Sequence, residues 1–192
     1  AAGKSPPPWA FVVNPPGLEQ APDDGTMKRV PGSNAAFTLT QIRDLFAVPD
    51  WHPKGHPPMP AVVSSGVKPG VFACGYCHLP NGLGRPENSS LAGLHAEYII
   101  QQVADFRSGA RKSSEPASLP INLMIAVAKA VSEADLRAAA EYFAALRPKP
   151  WIRVIETNAV PKTRVEGWML IASEAAATEP IGQRIIEMPE NL

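Results

Sequence analysis

The chain has 192 residues, with 18 basic and 18 acidic side chains, no formal net charge and 45% hydrophobic residues. That length accommodates one well-buried core or two small units, and the balanced charge excludes a sequence-wide field that would draw the chain to nucleic acid or an anionic membrane. No apolar run approaches the ~20 residues that cross a bilayer, so no membrane-spanning helix is expected.

Of 22 prolines, 13 fall in residues 1–69, in runs such as Pro6-Pro7-Pro8, Pro15-Pro16-Gly17, Pro31-Gly32 and Pro57-Pro58. Each proline fixes φ and removes a backbone donor, so this third of the chain is predicted to be irregular. The amino end, from Ala1 to Pro8, lacks the apolar segment of a signal peptide and reads as a soluble or already processed end. One short helix is predicted over residues 41–47, capped by Thr40, with Ile42, Leu45 and Phe46 on one face. Trp9, Trp51 and the Asp50-Trp51-His52-Pro53 turn predict that the segment packs on the rest as a proline-rich arm instead of floating.

Residues 70–147 change character and carry two clear helical periodicities. In 95–109, Ile99, Val103 and Phe106 recur at i, i+4 and i+7 before Gly109. In 132–147, Ser132 is a good N-cap, Asp135 supplies a first-turn carboxylate, and Leu136, Ala139, Ala140 and Phe143 form one face before Pro148. Residues 148–192 read as a C-terminal extension, a possible linker to a further domain. Short strands or extended arms are expected near 151–155 and 182–186, with a helix between them near 165–176. The chain stops at Pro189-Glu190-Asn191-Leu192 without a closing element, which fits a segment of a longer protein.

Both cysteines stand in one motif, Cys74-Gly75-Tyr76-Cys77-His78, for which a short helix is expected. Two cysteines three apart on a helical turn can each form a thioether with a porphyrin vinyl group, and the adjacent histidine then projects to the iron. The competing readings are a redox dithiol, which needs no following histidine, and a zinc site, which needs about four ligands, usually with a second cysteine pair. The sequence supplies the remaining parts of neither.

After this motif come Leu79-Pro80-Asn81-Gly82-Leu83-Gly84, Ser90-Leu91-Ala92-Gly93, Tyr98 and Phe106-Arg107-Ser108-Gly109-Ala110-Arg111, then Met124, Ala128, Val131-Ser132-Glu133-Ala134-Asp135-Leu136 and Tyr142-Phe143. Over residues 66–147 this succession resembles the class I c-type cytochromes, and in particular the N-terminal haem domain of two-haem periplasmic cytochromes c. The resemblance implies an all-α fold: a helical core around one covalent haem c, here flanked by long irregular arms. It implies Met124 as the second axial ligand, 46 residues beyond His78, on the loop before the final helix. Met59, in His56-Pro57-Pro58-Met59-Pro60, is the rival sulfur, although family members carry the methionine after the attachment site; His52, His56 and His95 are further candidates. In the family a backbone carbonyl, often of proline, accepts from the other ring nitrogen of the haem histidine. Ser89 holds the matching position, with Pro86 three residues earlier. The family's first helix carries a glycine and an aromatic that packs on the final helix, to which Gly66, Phe72 and Tyr142 or Phe143 correspond.

Arg107, Arg111 and Lys112 are candidates to pair with haem propionates or, equally, form a solvated basic helix end. Tyr98, and after it Trp151, are candidates to pack on the porphyrin. An iron closed by His78 and Met124 has no open position, so outer-sphere electron transfer is expected, with no enzymatic activity. The expected partners are redox proteins, such as a dehydrogenase, an oxidase or another cytochrome, and the expected compartment is the periplasm. A haem enzyme or gas sensor with an open or labile sixth position is the alternative, and a structural haem with docking arms is a further one.

Overall fold

Among residues 11–173 and 177–190, which the computed structural model describes, the chain order is α1 (Leu39–Ile42), α2 (Ala61–Ser64), α3 (Cys74–His78), α4 (Ala96–Ser108), α5 (Leu119–Ala130) and α6 (Glu133–Ala145). Four short strands follow: β1 (Ala159–Pro161), β2 (Thr163–Glu166), β3 (Met169–Ala172) and β4 (Thr178–Pro180). None of these helices is long and apolar enough to cross a membrane.

The two foreseen periodicities become α4 and α6. In α4, Ile99, Val103 and Phe106 are buried, and Gly109 ends the helix in the left-handed conformation, where its N–H bonds the Phe106 carbonyl. Ser132 caps α6 by accepting from the Asp135 N–H at 3.1 Å, while Glu133 and Asp135 complement the helix dipole. α4 packs against both α5 and α6, and α2 packs against α3 and α6. Val63 and Phe143 are the largest fully buried side chains of this apolar core.

The helix expected at 41–47 is instead α1, displaced toward the amino end. Thr38, not Thr40, caps it, through a capping box with Gln41: the Gln41 N–H bonds the Thr38 hydroxyl and the Gln41 side chain accepts from the Thr38 N–H. Beyond α1 the chain turns inward, the Leu45 carbonyl accepting from the Ala73 N–H at 2.9 Å and the Phe46 ring meeting Phe72 edge-on at 5.3 Å. Phe72 therefore packs on the arm. Trp9 lies outside the described residues.

Polar contacts fasten residues 50–57 to α6. The Tyr142 hydroxyl donates to the Pro80 carbonyl at 2.6 Å, and its oxygen lies 3.2 Å from His56 Nδ1. His56 Nε2 meets Asp50 Oδ2 at 3.1 Å. Burial, then the Asp50 charge, raises the Tyr142 phenol to about 12, so it stays a donor throughout the neutral range. Tyr142→Phe leaves the Pro80 carbonyl unpaired, and a loss of about 1 kcal/mol is expected in the urea unfolding free energy.

The all-α expectation holds for the core and fails in the C-terminal extension. Residues 165–173 form parts of β2 and β3 and the turn between them, not a helix, and residues 174–176 of that expected helix lie outside the described residues. β2 and β3 pair antiparallel, from Thr163 opposite Ala172 to Glu166 opposite Met169, inside the flanking antiparallel pair of β1 and β4. β-branched Thr163, Val165 and Ile171 and the two-residue Gly167-Trp168 turn favour this hairpin. Neither 151–155 nor 182–186 is a strand; both run as irregular chain.

Candidate haem-binding site

The motif residues occupy α3, five residues long, as the spacing requires. Gly75 lets this turn lie against α2: a Cβ there would stand 2.9 Å from the Val63 carbonyl oxygen and 3.2 Å from Val63 Cγ1. Cys74 and Cys77, three apart, fall on one side of the turn and are unpaired, half-buried thiols. Burial, with Cys77 close by, pushes the Cys74 thiol up to about 12, and burial raises Cys77 as well. A redox dithiol needs the opposite shift, since the thiolate is the reactive form. For zinc, no group of three or more His, Cys, Asp or Glu side chains comes together among the described residues.

His78 ends the turn with its ring fixed. Nδ1 donates to the Ser89 carbonyl oxygen at 2.8 Å, which settles the choice between Ser89 and Pro86 in favour of Ser89. A carbonyl only accepts, so Nδ1 carries the proton and Nε2 presents a lone pair. Burial lowers the His78 pKa and favours this neutral form. The Phe143 ring stands edge-on to the imidazole at 6.1 Å, and the Gly84 N–H holds the His78 carbonyl at 3.1 Å.

Met124 lies within α5, not on a loop. Pro120 in the first turn and Ile121, Met124, Ile125 and Ala128 at i, i+3, i+4 and i+7 explain the helix. Cys74, Leu83, Leu91, Ile100, Ile121 and Met124 all pack partly buried on the core cluster. Apolar side chains packed on the core with part of their surface uncovered, and a histidine with a free ring nitrogen on α3, are the chemistry that a porphyrin needs. Met59 packs on the same cluster from the arm.

The other expected contacts are arranged differently. Arg107 is spent on protein: Nε donates to the Ala128 carbonyl at 2.8 Å, Nη2 to Val131 at 3.1 Å, and Nη1 pairs with Glu133. It thereby satisfies carbonyls at the α5 end that helix geometry leaves open and ties α4 to the start of α6. Arg107→Gln is expected to cost about 1.5–3 kcal/mol in urea unfolding, through loss of bonds from a charged donor. Arg111 folds back on α4, its guanidinium 4.7 Å from the Phe106 ring centre and donating to Gln102. Tyr98 is 51% exposed on α4, and Trp151 is 42% exposed. His52 is exposed and His95 is the exposed N-cap of α4, whereas His56 is taken up by Asp50 and Tyr142.

Cytochrome c4 of Azotobacter vinelandii is 35% identical to this chain over 79 residues, 40% of this chain and 36% of that protein. Over this segment the chain is similar to c-type cytochromes. The thiosulfate dehydrogenase electron acceptor of Stutzerimonas stutzeri is 39% identical over 72 residues, 37% of this chain and 31% of the relative. The chain thus spans about a third of the length of these curated relatives. The crystal structure of reduced recombinant cytochrome c4 from Pseudomonas stutzeri matches at 35% identity over 40% of this chain and 39% of that one, with a TM-score of 0.35. No family model matches the chain. The similarity supports covalent haem c and electron transport for the matched segment.

Proposed function

We propose that this chain is a periplasmic single-electron carrier that holds one haem c through thioethers at Cys74 and Cys77, with His78 and Met124 as axial ligands. The observation that carries the reading is the His78 ring, fixed by Ser89 at 2.8 Å at the end of the turn that bears both thiols. The bound group supplies a one-electron couple. Ser89 and Phe143 hold the imidazole in one orientation, which limits reorganisation between oxidation states. The Met124 thioether is a soft donor that favours the ferrous state. The apolar residues of α4, α5 and the 79–94 loop exclude water, which likewise disfavours the extra ferric charge.

With both axial positions filled the iron offers no site to substrate, so the chain serves as carrier and not as catalyst. Its partners are redox proteins: a dehydrogenase, an oxidase or another cytochrome. The relative that is itself an electron acceptor of a dehydrogenase supports this choice. The test is expression with a c-type haem maturation apparatus, followed by a haem stain on a denaturing gel and a pyridine haemochrome spectrum. One thioether-linked haem per chain is expected, and none in the Cys74→Ala, Cys77→Ala double variant. A wild-type chain without covalent haem overturns the reading.

A further inference from the structure

The C-terminal hairpin turns on Gly167 and Trp168, and both have positive φ, 56° and 64°, between the paired residues Glu166 and Met169. A two-residue hairpin turn with positive φ at both positions ordinarily selects Asn or Gly. Tryptophan in this conformation is an outlier that the surrounding structure must hold in place. The hold comes from the opposite end of the chain: the Trp168 N–H donates to Asn14 Oδ1 at 3.2 Å, 154 residues away.

Trp168 lines a cavity of about 230 Å³, together with Phe11, Pro86, Glu87, Pro120 and Ile121. Pro86 and Glu87 belong to the loop whose Ser89 carbonyl fixes His78. Ile121 precedes Met124 by three residues on α5, so the two share a helix face. The cavity therefore lies between the loop that orients one candidate ligand and the helix that carries the other. Glu87 and Glu187 line it as well, beside the apolar Phe11, Pro120 and Ile121.

We propose that Trp168, seated on Asn14 at the tip of the β2–β3 hairpin, is a haem-contacting residue that closes the outer end of the haem slot. The inference rests on the haem-carrier reading above. The two arms then share one function: each supplies half of a cover, Asn14 from one and Trp168 from the other, that keeps water from the haem edge.

The test uses the full haem-loaded chain as wild type, Trp168→Gly and Asn14→Ala. Glycine accepts the positive φ, so the first variant removes the indole without straining the turn. The indole N–H resonance missing in Trp168→Gly identifies Trp168 in the wild-type proton NMR spectrum. That resonance is expected to shift between the diamagnetic ferrous and paramagnetic ferric states. The midpoint potential is expected to fall in both variants, because an edge open to water favours the ferric charge. A Trp168 resonance that oxidation leaves unmoved, or potentials equal to wild type in both variants, overturns the inference while leaving the carrier reading intact. A chain that carries no covalent haem overturns both.

Discussion

Phe143→Ala is expected to lose about 3–5 kcal/mol of unfolding free energy, the range for truncating a fully buried aromatic. Phe143 is 1% exposed, the largest of the fully buried side chains. Its ring meets Tyr142 edge-on at 5.3 Å and His78 at 6.1 Å, so one side chain joins the core to the proposed axial ligand and to the residue that fastens the arm. Against a total stability of ~5–15 kcal/mol for a domain, the loss leaves little margin. Urea unfolding followed by far-ultraviolet circular dichroism measures it. Phe143→Leu, which retains most of the volume, is expected to lose clearly less; equal losses would show that the site relaxes around the deletion and that the ring contacts carry little.

The second large effect is expected at Gly84. Its φ is 74°, and a Cβ there would stand 2.3 Å from the Asn88 carbonyl oxygen and 2.7 Å from the Ser89 carbonyl carbon and oxygen. Alanine incurs about 1–2 kcal/mol for the left-handed backbone, and the overlap adds about 1–3 kcal/mol, for a total near 2–5 kcal/mol. One of the atoms displaced, the Ser89 carbonyl oxygen, is the acceptor of the His78 Nδ1–H. Gly84→Ala is therefore expected to shift the midpoint potential of the haem-loaded chain as well as its unfolding midpoint. Gly109 supplies the control: its φ is 83°, but nothing lies within 4 Å of its Cβ position. Gly109→Ala should show the backbone cost alone and leave the potential unchanged. Equal potentials for the two variants would remove Gly84 and Ser89 from any part in orienting His78.

Local chemistry was legible where one segment decided the outcome. The Cys74 to His78 spacing needs only a single helical turn, and the caps of α4 and α6 act within that turn, so Gly109 and Ser132 stood at the ends expected of them. The α5 helix was readable too, in Pro120 followed by the Ile121, Met124, Ile125 and Ala128 stripe, but the family resemblance directed attention to a loop. The protein contacts of Arg107 were hidden for a different reason. Its partners, Ala128, Val131 and Glu133, lie 21 to 26 residues away, and only the packing of α4 on α5 and α6 brings them together.

The arms were the least legible because their order is non-local. Nothing near His56 in sequence announces Tyr142, 86 residues away, and nothing near Trp168 announces Asn14. In the C-terminal extension, alternating Thr163, Val165 and Ile171 carried a strand signal. The Gly167-Trp168 turn concealed it, since tryptophan is a poor marker of positive φ.

The most direct test of the central claim, an iron closed by His78 and Met124, is the optical spectrum of the haem-loaded chain, oxidised and reduced, with and without carbon monoxide. The account predicts the weak far-red band of thioether-ligated ferric haem, its loss in Met124→Ala but not in Met59→Ala, and almost no carbon monoxide binding to the reduced wild type. A high-spin iron, or one that binds carbon monoxide readily before any mutation, would contradict it.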